Sequence, residues 1–546
     1  MDTDTDTRRE ILGAAREAHL RRDWQASYAG FAQAQESAPL ALEDLDALAA
    51  AAWRLGRCKE SVRFAEQVFA EMVRAEPAAA ATKAVEVALA WLTRGDLNVG
   101  QGWMNRARRL LDGTTESATH AYLAYLDAWI ADTVGDADAL AQKVEELRAM
   151  SDRLDAPAVT ALGLVSEALV AIGESRVKDA FGLIDEAMLP VLADEVPIEW
   201  AGDIYCLVLH HCHRLADQPR MRAWTQSMTR WSEDIAASPT YGGLCEIYRL
   251  QLWAATDDYR TLEDKLSAAS CNLEEVNTFA AAEGYYQLGE IRRLRGDLEG
   301  ALAAFSRARE KGTDPQPGEA LVRFQQGDSD AAWTALQMSL DWQDRIGRIR
   351  LLRAAVEVAL ARDCIAEAET LCRELVSGAT EFGTPGFRAW AAHARGALLV
   401  ASGEHGAALD ALHTALREYR TQQCRYETAQ VYEWMAKAHA ALGEHQAADA
   451  DTATAESIYR QLGAEPVRKP AAPSPGGLTK REVDILTRIA GGATNKQVAE
   501  QVFLSEKTVR RHLANIFTKL GVSSRTAAVS WAYANRVVDP AAPADG

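Results

Sequence analysis

A turn signal that repeats twelve times constrains this chain more than any other feature. It runs from Arg22-Asp23 through Gly56-Arg57, Gly95-Asp96, Gly135-Asp136, Gly173-Glu174, Ala216-Asp217, Asp257-Asp258, Gly296-Asp297, Gly327-Asp328, Arg362-Asp363 and Gly403-Glu404 to Gly443-Glu444, at steps of 31–43 residues, most near 40. Each turn is flanked by two amphipathic stretches of helical length, rich in Ala and Leu, with few strand-like alternations. One helical hairpin cannot bury its own apolar face, so a period in this range specifies a solenoid of stacked hairpins. The reading is an all-α chain with about twelve such units over residues 8–462.

Some units resemble the tetratricopeptide repeat. The best carries Tyr285, Tyr286, Gln287, Leu288 and Gly289, followed by Gly296, Ala301, Phe305 and Ala308; another keeps Gly396, Gly403, Ala408 and Ala415. In that repeat, small residues let two helices close together and the aromatic fills the gap between units. Other units keep only the turn and the small residues, so the array is read as tetratricopeptide-like. The resemblance implies a superhelix whose concave surface takes a small molecule, a peptide or a protein. Trp53, Trp91, Trp129 and Trp253 each precede a turn by three to six residues. They read first as packing between hairpins and second as the lining of a ligand groove. Cys206, His210 and His213 fall at i, i+4 and i+7, on one helical face, and offer three donors to a Zn²⁺ ion. No fourth ligand is evident, and no metal is expected.

Residues 464–477, AEPVRKPAAPSPGG, break the pattern. Four Pro and a closing Gly pair predict an extended, semi-rigid spacer. The charge changes across it. Leu478 to Gly546 holds 10 Lys and Arg against 6 Asp and Glu, which leaves 49 against 72 in the rest of a chain of net charge −19. A basic tail suits phosphates, whereas the acidic body is repelled by them and is not expected to wrap DNA. The eight Cys are scattered with no CxxC pair, as in a chain of reduced thiols. The opening MDTDTDTRRE lacks a signal-peptide apolar run, and no apolar stretch reaches the ~18 residues that span a bilayer. A cytoplasmic protein with no membrane partner is expected.

The tail itself has the pattern of a helix-turn-helix unit. Thr479 with Glu482 is a capping box that starts a helix near Lys480, with Val483, Leu486 and Ile489 at helical spacing before Gly491-Gly492 stop it. Thr494 with Gln497 opens a short second helix carrying Val498, Ala499 and Val502. A tight turn through Phe503-Leu504 follows, and Ser505 caps a third helix. On that helix Val509, Leu513, Ile516 and Leu520 share the core side. Lys507, Arg510, Arg511, Ala514 and Thr518 lie opposite, with Thr508, His512, Asn515 and Lys519 on the flank. Two arginines opposite a buried face suit a major groove, where Arg pairs bidentately with guanine. Ser524 begins a fourth helix with Ala527, Ala528 and Trp531 as packing residues.

These residues resemble the LuxR/FixJ, or NarL-type, DNA-binding domain of bacterial regulators. The match rests on Leu478-Thr479-x-Arg481-Glu482, Gly492, Asn495-Lys496-x-Val498-Ala499, Ser505-x-x-Thr508-Val509-x-x-His512 and Lys519-Leu520, about a tenth of the chain. The resemblance implies a small four-helix domain whose third helix reads double-stranded DNA and whose fourth often makes a homodimer. By position, Arg510, Arg511 and Ala514 face base edges. Ala514 stands where some members have a longer polar residue, so one base contact is missing. Lys496, Ser505, Lys507, Thr508, His512, Asn515 and Lys519 are the backbone-contact candidates.

The expected organisation is an array over 1–463, a linker over 464–477, the DNA-reading domain over 478–538 and a disordered tail over 539–546. No G-x-x-x-x-G-K-[ST] phosphate cradle, receiver-like βαβ alternation or H-E-x-x-H, G-x-S-x-G or Ser/His/Asp arrangement stands out. The chain is therefore read as a regulator rather than an enzyme, with no cofactor. Its array binds a ligand or protein partner. The rival reading is a scaffold whose terminal helices dock a protein partner.

Overall fold

The computed structural model describes residues 2–234, 239–466, 476, 478, 480–502, 506–535 and 537. All regular elements among them are α-helices. They fall into two compact units, Met1–Val322 with Ala332–Pro466, and Arg323–Ala331 with Val467–Gly546. Most of the expected linker, the tail 539–546, Thr479 and the turn residues Phe503, Leu504 and Ser505 lie outside the described residues.

Twelve hairpins form the array. The first four are α1 Asp2–Leu20 with α2 Trp24–Ser37, α3 Leu42–Arg54 with α4 Cys58–Ala75, α5 Pro77–Thr93 with α6 Leu97–Leu111, and α7 Ala118–Val134 with α8 Ala137–Arg153. Then come α9 Pro157–Gly173 with α10 Val177–Leu192, α11 Ile198–Arg214 with α12 Gln218–Asp234, α13 Pro239–Ala254 with α14 Tyr259–Leu273, and α15 Thr278–Leu294 with α16 Leu298–Glu310. The last are α17 Gly318–Gln325 with α18 Ser329–Trp342, α19 Arg345–Ala361 with α20 Ile365–Phe382, α21 Pro385–Ala401 with α22 His405–Gln422, and α23 Arg425–Ala441 with α24 His445–Leu462. Each turn read from the sequence separates the two helices of one hairpin. Eleven of the twelve turns contain a residue of positive φ, among them Gly95, Gly296 and Gly403, and also Arg22, Ser175, Ala216 and Asp363. A left-handed residue lets the chain reverse tightly, and Gly adopts it without the Cβ penalty.

The two helices of a hairpin are buried unequally. In α7 Ala121, Leu123, Ala124, Tyr125, Leu126, Ala128 and Ala131 are buried along with Thr119, whereas its partner α8 buries only Leu140, Val144 and Leu147. A leading helix is flanked by its own partner and by neighbouring hairpins, so it needs apolar surface on several sides. Small residues set the close approaches. A Cβ on Gly289 would collide with the buried Phe305 ring, and one on Gly396 with Leu412.

Successive windings lock together. Thr278 Oγ1 donates to the Arg94 carbonyl, Gly386 N to the Ala216 carbonyl at 3.1 Å, and Arg425 N to the Ala255 carbonyl at 3.2 Å. Each pair joins the turn of one hairpin to the leading helix of the fifth hairpin after it, so about five hairpins make one winding. A Cβ on Gly386 would press on the Ala216 carbonyl oxygen, a backbone atom that no rotamer change can move. Gly386→Ala is therefore expected to lower stability by about 1–3 kcal/mol. Gly403→Ala meets open space and carries only the strain of φ +82°, about 1–2 kcal/mol. Urea midpoints of the two variants, followed by helical circular dichroism, should also separate in cooperativity, because only Gly386 sits at a contact between windings.

Winding buries polar groups of the leading helices. The Arg350 guanidinium donates to His213 Nε2 at 3.1 Å, the Gln251 amide lies 3.0 Å from His213 Nδ1, and Glu283 stands 3.4 Å away. Accepting from Arg350 requires a neutral imidazole, and burial with the Arg350 charge holds the His213 pKa well below its usual range. His213 is thus occupied by these partners. Among the described residues no group of three or more His, Cys, Asp and Glu is placed to hold a metal ion. Trp53 is buried, while Trp91 and Trp253 are half-buried beneath cations: Arg94 lies 4.6 Å from the Trp91 ring and Lys265 4.8 Å from the Trp253 ring.

Candidate nucleic-acid interface

The C-terminal unit holds four short helices, α25 Lys480–Ala490, α26 Asn495–Gln501, α27 Glu506–Leu520 and α28 Arg525–Ala534. Their shared core is Leu478, Ile485, Leu486, Ile489, Val498, Ala499, Val502, Val509, Leu513, Ile516, Ala528 and Ala532. Ile485 is fully buried beside Leu486 and Ile489, and Val483 packs against the edge of that core. The expected capping box of α26 is formed: Gln497 N donates to Thr494 Oγ1 at 3.3 Å, and Thr494 N to Gln497 Oε1 at 2.8 Å. Gly492, at φ +91°, ends the preceding turn. Ser524 caps α28 by accepting from Ala527 N at 3.2 Å.

The recognition-helix candidate α27 is divided as its sequence requires. Val509, Leu513 and Ile516 are buried and Leu520 packs at the edge of the core. Arg510, Arg511, Ala514 and Thr518 are exposed. Thr508 and His512 are half-buried between the two faces, and Asn515 and Lys519 are exposed. Lys496, on α26, is exposed as well. The Lys507 side chain and Ser505 lie outside the described residues. Arg510 pairs with Glu506 one turn earlier at 2.7 Å, with its side chain still 70% exposed. Among the described residues Arg511 has no ion pair.

Three tethers escaped the sequence reading. Lys519 Nζ lies 2.7 Å from Glu482 Oε2, a carboxylate only 5% exposed, so this lysine neutralises a buried acid on α25. Arg525 donates to Asn495 Oδ1 at 3.0 Å and to the Ala493 carbonyl, tying the start of α28 to the start of α26. Arg488 bridges Asp484 at 2.9 Å and Gln501 at 3.0 Å, joining α25 to α26. A signal for Arg525 was present. A cation in the first turn of a helix opposes the helix dipole and asks for a partner elsewhere.

A short helix, packed on one side and carrying two arginines on the other, inside a closed four-helix core, defines a helix-turn-helix DNA-binding domain. Residues 477–532 match the family of bacterial regulatory proteins named for luxR, and this segment is a LuxR-family domain. It is 50% identical over 62 residues to the transcriptional regulatory protein LiaR of Bacillus subtilis (strain 168), covering 11% of this chain and 29% of that protein. It is also 50% identical over 58 residues to the CsgBAC operon transcriptional regulatory protein of Escherichia coli (strain K12), covering 11% of this chain and 27% of that one. The chain thus spans less than a third of the length of these relatives. Among solved structures, the APC/C hetero-tetramer Cut9-Hcn1 aligns over 96% of both chains at 11% identity, with a TM-score of 0.38.

Proposed function

We propose that this chain is a bacterial transcriptional regulator in which α27 enters the major groove of promoter DNA and the hairpin array controls that act through a ligand or protein partner. The observation that carries the reading is the exposure of Arg510 and Arg511 on the face of α27 opposite its packed side. In this reading Arg510, Arg511 and Ala514 meet base edges, and Lys496, Ser505, Lys507, Thr508, His512, Asn515 and Lys519 meet the backbone. The array extends over 1–463, the spacer over 464–477 and the DNA-reading domain over 478–538. The protein acts in the cytoplasm without catalysis of its own. Among the described residues no helix is long and apolar enough to cross a membrane.

A gel shift with the intact chain on duplex DNA tests the reading. Binding should weaken with salt. Each neutralised phosphate contributes roughly −0.9 to the slope of log K against log salt, so Lys496 and Lys507 together predict a contribution of roughly −2 per protomer, Lys519 being already paired with Glu482. A protein-docking scaffold predicts no salt-sensitive duplex binding. The reading also includes a homodimer through α28, whose Tyr533 is 38% exposed, on paired half-sites. Sedimentation giving only a monomer, with and without DNA, would remove the dimer from the proposal.

A further inference from the structure

A cavity of about 190 Å³ opens between α3, α4 and α5, and Glu199 of α11 borders it. Trp53, Val62 and Val87 supply apolar wall. Charged groups converge on the same space. Lys83, 13% exposed, lies 2.6 Å from Asp46 and is also paired with Glu86. Glu199 is paired with the buried Arg54 at 2.7 Å. Three carboxylates, their side chains 45%, 39% and 31% exposed at Asp46, Glu86 and Glu199, therefore face two cations, and the rim of the cavity carries a net negative charge. Burial raises the Glu86 pKa, and the Glu199 and Asp46 charges add to that rise, while Lys83 opposes it.

We propose that this cavity binds a small organic cation, an ammonium group on a flat apolar body, as the effector of the array. The proposal rests on the reading that the array controls the DNA-binding domain. A cavity on the order of 150 Å³ holds a benzene ring, so this one takes a single ring with a short arm. The apolar wall, with its indole, suits the body of such a ligand. Its ammonium supplies the charge that the three carboxylates lack. An anion would meet net repulsion there, and a neutral ligand would leave the imbalance as it is. Asp46, Lys83 and Glu86 belong to the second and third hairpins and Glu199 to the sixth. A cation held among them strengthens the link between two windings, which is where a ligand can bias the curvature of the array.

Calorimetric titration of the intact chain with benzylammonium, benzyl alcohol and benzoate tests this. Benzylammonium should bind saturably, and the neutral and anionic isosteres should not. Glu86→Gln should weaken benzylammonium at least tenfold. Ala50→Leu, which grows a side chain into the cavity lining, should abolish its binding while the helical circular dichroism stays unchanged. Equal binding of benzyl alcohol, wild-type affinity in Glu86→Gln, or no saturable uptake of benzylammonium overturns the proposal. A chain that binds duplex DNA but not benzylammonium fails this proposal alone. A chain that takes up benzylammonium with the expected variant effects but binds no duplex fails the regulator reading and keeps the cation site.

Discussion

Replacing Arg511 by Ala should weaken binding to a matched duplex by about 1–3 kcal/mol, roughly 5- to 150-fold, and flatten the preference at the base it reads. The side chain is exposed on α27 and, among the described residues, has no ion pair to give up before it meets DNA. Arg510 starts from a different state, paired with Glu506 at 2.7 Å. That surface pair is worth about 0–1 kcal/mol, so Arg510→Ala should cost less than Arg511→Ala by up to that amount. The same pair gives an opposite-signed expectation. Glu506→Gln frees Arg510 and removes a negative charge from the approach to phosphate, so it should tighten all duplexes by a few-fold. Binding curves on matched and singly mismatched duplexes check all three. If Arg510→Ala and Arg511→Ala weaken every sequence equally, the two arginines contact backbone and not bases.

Lys519→Ala should have its largest effect on the fold of the domain. Its ammonium neutralises Glu482, whose carboxylate is 5% exposed. Breaking a fully buried pair costs about 3–5 kcal/mol. The lysine is itself 37% exposed, so solvent screening reduces the expected loss to about 1–3 kcal/mol. Hydrogen exchange of α25 and α27 amides in the intact chain should quicken. Adding Glu482→Gln to Lys519→Ala removes the carboxylate charge that Lys519 had neutralised and should recover part of the protection. Unchanged exchange in Lys519→Ala, together with weaker binding to every duplex, would assign the lysine to phosphate contact alone.

The pairing of Lys519 with Glu482 marks the limit of what was legible in the domain. The faces of α27 follow from a 3.6-residue period, so Val509, Leu513 and Ile516 read correctly as core and Arg510 and Arg511 as exposed. On α25 Val483, Leu486 and Ile489 share a helical spacing, yet Val483 only packs at the edge and Ile485 joins the core, because the packing of α27 and α28 selects the face of α25 that is covered. Lys519 and Glu482 are 37 residues apart, and Arg525 and Asn495 are 30 apart. Their proximity depends on how separate helices cross.

In the array the sequence alone determined the hairpins. Turn residues and apolar spacing act within a few residues of one another, and all twelve turns separate paired helices. The tertiary structure decided the winding. A small rotation between neighbouring hairpins accumulates until the turn at Ala216 meets Gly386, and no local pattern encodes that sum. The winding places His213 beside Arg350 and Glu283, and Asp46, Lys83 and Glu86 near Glu199. Lys83 and Glu86 lie one helical turn apart, but Asp46, Glu199, Glu283 and Arg350 come from separate hairpins, and only the fold brings their charges together.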